Sequence, residues 1–382
     1  MQQVCVMSFL QSLFGRRQQL SRGRICHILD ILLIEDSFHC RSKTLYSSSA
    51  GRSLQTRSFP RTWQQSWYGQ TRWYSKIFDV ETKASQRSRS ARCTTREDPL
   101  QDEVACRVVE RIEDCSRRFK DALILGGASI QVARQLIHSH SGGELERIVF
   151  ADHSREMVER CRHEWKEVGG LGSKIKTDFH LMDTSSECED IGVDKESFDV
   201  VISCLGLHWV NDIPGVMYQC RQALVPDGLF IGALLGGDTM QELRIACTLA
   251  HQEREGGVSP RTSPFVHVRD AGNLLTRAGF QIPSVDVDDI MIHYPDPVAL
   301  VEHLRRMGET NASINRRLFL SRDTALASAA AYIGMFGENN AIPASYQVIY
   351  MTGWSPDTSQ PKPSARGSAT VSFKDLEKTL TS

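Results

Sequence analysis

Between residues 121 and 235 the chain alternates two kinds of segment, and that alternation leaves few folds open. DALIL (121–125), RIVFAD (147–152), KTDFHLMD (176–183), SFDVVISCLG (197–206) and LFIGALL (229–235) are short apolar runs of strand length. Between them, SIQVARQLIHSH, SREMVERCRHEW and IPGVMYQCRQALVPDG place apolar residues at helical spacing. Ser154 stands in the N-cap position of the second helix, and Pro226 and Gly228 are expected to stop the third. Apolar strands joined by helical crossovers predict a parallel sheet covered on both faces, an α/β fold.

The flanks are less regular. Residues 98–118 show helical periodicity. Past the fifth strand, Asp238 and Gln241 are expected to cap a helix, and RDAGNLLTRAGF is a short helix with Gly279 just past its end. VDVDDIMIHY (285–294) alternates like a strand, helical stretches follow near 297–307 and 322–336, and YQVIYMTGW (346–354) is a last strand. One domain over 77–355 accounts for these elements. The tail, 356–382, begins rich in Pro and Ser and is expected to be mostly unstructured.

Residues 1–76 carry 11 Lys and Arg against three acids, which leaves 34 basic and 43 acidic residues for the rest. No acid occurs from Ser37 to Phe78, where arginines are spread among Ser, Thr, Gln and aromatics. That composition marks an organelle transit peptide, with a basic disordered tail as the alternative. An acidic body argues against a nucleic-acid partner, which needs positive charge on the folded surface. The longest apolar patch of the head, ICHILDILLIED, is interrupted by Asp30 and too short to span a bilayer, so no transmembrane segment is expected. The 11 cysteines are odd in number and never spaced C-x-x-C, which excludes a disulfide scaffold and a recognisable zinc site.

Chemistry should sit where the strands end. After the first strand, Gly126 and Gly127 allow close approach and positive φ, and amides at the start of the following helix favour an anionic or polar group. Ser129 is expected to cap that helix, whose Ile130, Ala133, Leu136 and Ile137 should face the sheet. The third glycine of a dinucleotide fingerprint is missing, so NAD or FAD is not expected. Asp152 ends the second strand, 26 residues after Gly126, where an acid can accept both hydroxyls of a ribose; otherwise it caps the helix beside Ser154. Asp183 ends the third strand and could accept from an adenine amino group, or simply cap or face solvent.

SFDVVISCLGLHWVNDIPGVMYQCRQALVPDGLFIGALLGGDTMQELR (197–244) resembles the class I S-adenosylmethionine-dependent methyltransferases. LHWVNDIP, FIGALLGGDTMQELR, EREGGVSPRTSPF, GETNASINRR, RGSATVSF and KIFDVETKASQRSRSA narrow the resemblance. They are similar to mitochondrial complex I assembly factors of methyltransferase fold, a family described as protein arginine hydroxylases. A malonyl-carrier-protein methyltransferase is similar by pattern but fits the insertion and tail poorly.

The resemblance implies a Rossmann-like, seven-stranded, mostly parallel sheet of order 3-2-1-4-5-7-6. It implies S-adenosyl-L-methionine over strands one, two and four, contacted by Gly126, Gly127, Asp152, Asp183, Ser203 and Leu205. It also implies a complex I subunit as protein substrate and a matrix location, with peripheral association to the inner membrane left open. The family's first motif reads D-L-G-C-G-R-G; here Ile124, Leu125, Gly126, Gly127, Ala128, Ser129 and Ile130 stand at those positions. The strand acid and two of three glycines are replaced, so weaker cofactor binding is expected.

In such methyltransferases the residues after the fourth strand, here His208 and Trp209, face the transfer site. His208 could orient or deprotonate a substrate group; alternatively Trp209 packs beneath the cofactor and His208 caps a helix beginning near Asp212. Asp238 could face the pocket or cap its helix. Glu253 and Glu255, in the charged segment after the sheet, could hold a substrate guanidinium or form a solvated helix end. His251 and Glu253 have a local H-x-E form, but a helical setting does not suit a two-His, one-carboxylate iron site, and no metal site is assigned. Three functions stay open: an arginine-modifying enzyme, a small-molecule or carrier-protein methyltransferase, and a non-catalytic assembly chaperone.

Overall fold

The computed structural model describes residues 76–93, 97–139, 144–168, 174–182, 189–362 and 366–368. The targeting head and most of the tail lie outside these residues, as does Asp183. Two helices come first, α1 (Val80–Ala91) and α2 (Pro99–Glu113). Then follow β1 (Asp121–Leu125), α3 (Ser129–His138), β2 (Arg147–Asp152), α4 (Arg155–Val168), β3 (Lys176–Leu181) and β4 (Phe198–Cys204). A 3-10 turn over Leu207–Trp209 precedes α5 (Ile213–Ala223) and β5 (Leu224–Leu235). The chain continues through α6 (Gln241–Glu255), α7 (Val268–Ala278), β6 (Gln281–Tyr294), α8 (Pro297–Met307), α9 (Arg322–Phe336) and β7 (Ile342–Trp354).

Among the described residues the strands form one seven-stranded sheet of order β3-β2-β1-β4-β5-β7-β6. The first five pair in parallel, and β7 runs antiparallel to both β5 and β6. This is the expected α/β architecture. Side-chain alternation splits the core. Ala122 and Ile124 of β1 point into one apolar cluster, shared with α2, α3, α4 and α8; Leu123 and Leu125 point into the other, shared with α5 and α7. Leu100, Val104, Val108 and Ile112 repeat every fourth residue on α2 and are all but fully buried, each contributing roughly 1.5–3 kcal/mol over an exposed side chain.

Three local expectations need correcting. Pro226 and Gly228 do not end a helix. Helix α5 stops at Ala223, because Leu224 is already extended and paired with Phe198, and the proline and glycine lie in the bulged start of β5. Ser129 does not cap α3: Ala128 occupies the N-cap without a side-chain bond, while the Ser129 hydroxyl donates back to the Gly126 carbonyl at 2.5 Å. Asp238 and Gln241 do bond to each other, at 2.8 Å, but no side chain caps α6, whose N-cap is Met240 in the left-handed region. Ser154 behaves as expected and accepts from the Met157 amide.

Helix α1 is the element that periodicity does not show. Its buried positions are Lys83, Gln86, Arg87 and Ser90, at helical spacing but all polar, so no apolar stripe announces them. Asp79 caps its start by accepting from the Thr82 amide at 3.0 Å.

Candidate functional site

The carboxyl ends of β1, β2 and β4 meet beneath α1. The β1 turn is stitched to both neighbours: the Gly126 amide donates to Ala151 O and the Ala128 amide to Cys204 O, each at 2.8 Å. A Cβ on Gly127 would lie 1.8 Å from the Cys204 carbonyl oxygen, and its φ of +56° is left-handed. Only glycine fits there. Ile124, where the related motif carries an acid, is fully buried in the core.

Asp152 closes β2. Its Oδ1 accepts from the Ser154 amide at 2.8 Å, and its Oδ2 accepts from Nη2 of Arg87, which reaches down from α1. The same Nη2 donates to Gly127 O at 3.1 Å. Both side chains of this ion pair are nearly enclosed, at 10% and 7% exposure. Burial opposes the charge of Arg87, but the Asp152 carboxylate outweighs it and raises the guanidinium above its ordinary value. Next to it, burial pushes His153 below the ordinary histidine range, and its Nδ1 has no partner among the described residues. His153 lines the same cleft.

The other end of the cleft is built on Glu309. Its Oε2 accepts from His208 Nε2 at 2.9 Å and from Trp209 Nε1 at 2.7 Å. Lys83, one turn before Arg87 on α1, sits with Nζ 3.3 Å from the Trp209 ring centroid and donates to Gly308 O at 2.6 Å. Burial pushes Lys83 down to about 7 against the attraction of Glu309, and the charge of Arg87 lowers it further. Burial alone would raise the Glu309 carboxyl; Lys83 and the bonds from His208 and Trp209 overcome it and bring it down to about 2. An ionised Glu309 requires the proton on His208 Nε2. The buried Nδ1 of that ring has no partner among the described residues.

The sequence-predicted residues separate into two groups. Gly126, Gly127, Asp152, Leu205 and Trp209 line one cleft, together with Lys83, Arg87, His153, Glu189 and Glu309. His208 stands behind Trp209 through Glu309, and it does not cap α5, which Asp212 caps by accepting from the Gly215 amide. Trp209 packs against Phe78 at 5.2 Å between ring centroids. Ser203 is fully buried and braces the strands by donating to Leu125 O at 3.3 Å.

Glu253 and Glu255 are not brought to the cleft. Glu253 is exposed beside Arg254, and Glu255 is taken by Arg317 and the Thr324 hydroxyl. His251 is satisfied by Cys247 O and Arg261. The residues missed by sequence reasoning are Lys83, Arg87 and Glu309. They lie in two segments, KASQR and GETN, that the family resemblance marks without giving them a role.

A nucleoside cofactor fits these residues in kind. The strand-end acid, the obligatory glycine and the unpartnered nitrogen of His153 suit a ribose and a heterocycle. Asp152, Gly126, Gly127 and Leu205 are the cleft residues that could hold such a cofactor.

Residues 125–232 match the model of a methyltransferase domain. The chain is 39% identical to the mitochondrial arginine-hydroxylase NDUFAF5 of Danio rerio, over 84% of this chain and 95% of that one. It is 41% identical to the Homo sapiens protein of the same name, over 79% and 84%. Identity to a malonyl-[acyl-carrier protein] O-methyltransferase of Xylella fastidiosa is 32%, over 75% and 90%. On fold, strand order and this similarity over most of its length, the chain belongs to the NDUFAF5 arginine-hydroxylase family.

Proposed function

We propose that this protein is a mitochondrial enzyme of methyltransferase fold that modifies an arginine of a complex I subunit by hydroxylation, and that its cleft takes S-adenosyl-L-methionine. The observation that carries the reading is the combination of family membership with a cleft at the strand ends lined by the carboxylates of Glu189 and Glu309 beside Asp152. Carboxylates paired with arginine in bidentate or charge-assisted bonds are the strong recognition mode for that group.

The residues of the chain divide the work. Glu309 fixes the His208 ring and the Trp209 indole that walls the cleft. Trp209, held by Glu309 and Phe78, forms a rigid wall. Bound adenosylmethionine would supply an electrophilic methyl carbon for methyl transfer, whereas hydroxylation requires an oxygen-atom donor, such as molecular oxygen with a reductant, from outside these residues. The domain is proposed to span 77–355, and the setting to be the matrix, with the inner membrane as a peripheral surface. Among the described residues no helix is long and apolar enough to cross a membrane.

Mass spectrometry of complex I subunits from cells lacking the protein tests this. Loss of a mark of about 16 Da on an arginine is the expected outcome. Loss of about 14 Da would replace hydroxylation by methylation, the reading favoured by the likeness to a carrier-protein O-methyltransferase. Failed assembly with every mark retained would make the protein a chaperone.

A further inference from the structure

We propose that α1 is a latch on the cofactor site: Arg87 occupies the acid that a ribose needs, so an adenosyl group can seat only when Arg87 withdraws. The proposal rests on the adenosyl reading above and adds to it a conformational step.

The polar groups at the strand ends are already spent. Asp152 accepts from Ser154 on one oxygen and Arg87 on the other. Gly126 O accepts from the Ser129 hydroxyl, and Gly127 O from Arg87. The cavity that remains is about 50 Å3, room for a few water molecules. Sites that enclose ligands of nucleoside size run to roughly 300–1,000 Å3. Val80, Lys83, Ala84 and Arg87 of α1 are part of its wall, so withdrawing this helix enlarges the space.

The helix is built to move. Its buried face is held by hydrogen bonds rather than apolar packing: Lys83 to Gly308 O, Gln86 to Asn311 O and Ser90 to Arg306 O. Release exchanges such bonds for bonds to water and leaves the buried Arg87–Asp152 pair as the main cost of opening, whereas lifting an apolar face would expose area at the full hydrophobic penalty. The segment before it stays anchored, because Asn211 Oδ1 accepts from the amides of both Ile77 and Phe78 at 2.9 Å. The helix can therefore swing without leaving. Arginine does not discharge in a protein, so the Arg87 contact yields to a ligand that competes for Asp152.

Closure lowers apparent affinity by the fraction of molecules that are open. Full-length protein and Arg87→Gln, with matching circular dichroism, are titrated with S-adenosylhomocysteine by calorimetry. The variant is expected to bind on the order of ten-fold more tightly, since a competitor has been removed. In the unaltered protein, deuterium uptake over Val80–Ala91 is expected to rise on adding the same ligand. Weaker binding by the variant, or protection of the helix by the ligand, overturns the latch while leaving the adenosyl reading standing, because Arg87 would then be a cofactor contact. No binding by either protein overturns both.

Discussion

The two ends of the cleft solve one problem with different chemistry. Each has a carboxylate nearly shut off from water, and each is answered by a cation from α1, Arg87 on Asp152 and Lys83 beside Glu309. The cations are four residues apart and so share a helix face. Arg87 keeps its charge under all ordinary conditions, so its ion pair persists at any ordinary pH until another group takes Asp152. Lys83 titrates near neutrality, so the charge at the Glu309 end is adjustable. A buried pair made with arginine locks a position, whereas one made with lysine can release its proton when the partner is lost.

The sharpest way to break this contrast is to neutralise the two acids in turn. Asp152→Asn keeps the shape but leaves a buried guanidinium that cannot discharge, and the expected loss is about 3–5 kcal/mol in urea unfolding. Should the loss fall under 1 kcal/mol, the Arg87 charge would not depend on Asp152 and the contrast between the two ends fails.

The pH dependence of stability separates the cations. The Lys83 amine titrates near 10.5 when exposed and near 7 in the fold. Between those limits the unfolded chain binds the extra proton, so stability rises with pH, by at most about 1.4 kcal/mol per unit. Lys83→Met is expected to flatten that rise in a series of urea midpoints from pH 7 to 10. The Glu309 contribution has the same sign in a lower window. It is complete above about 4.5 and is lost as the pH falls toward about 2.

Glu309→Gln should cost less than the Asp152 variant, about 1–2 kcal/mol, because its amide oxygen can still accept from His208 and Trp209 while Lys83 gives up its proton. Equal losses for the two variants would erase the distinction between the ends. Smallest is Trp209→Phe, which removes one donor to Glu309 and keeps an aromatic face under Lys83. About 1 kcal/mol is expected from thermal or denaturant melting.

Much of the sheet could be read directly. The helix at 297–307 and the strands ending in Leu125, Asp152 and Leu235 follow from apolar periodicity, because their partners are apolar and any matching partner serves. The start of β5 could not, since Pro226 and Gly228 carry the same local signal in a helix stop and in a bulged strand; pairing with Phe198 decides between them. Ser129 failed as a cap for a similar reason: its hydroxyl found the Gly126 carbonyl before the helix amides.

The site was legible at its glycines and at Asp152, where backbone conformation and strand position restrict the residue type. It was not legible at Lys83, Arg87 and Glu309. Polar residues leave no periodic stripe, and 222 positions separate Arg87 from Glu309 in the chain. Glu253 and Glu255, chosen for their charge, were drawn to the neighbouring Arg254 and to Arg317 and Thr324.

By itself, the order of residues determined the strand and helix alternation, the glycine turn and the acid at the end of β2, because each is set by local sterics or by burial of an apolar face. Tertiary structure alone decided that α1 lies over the cleft, that Arg87 fills Asp152, and that His208, Trp209 and Lys83 converge on Glu309. Those are pairings of charged and polar groups. Their energy depends on which partner is near and how much water is excluded, and neither quantity exists until the chain is folded.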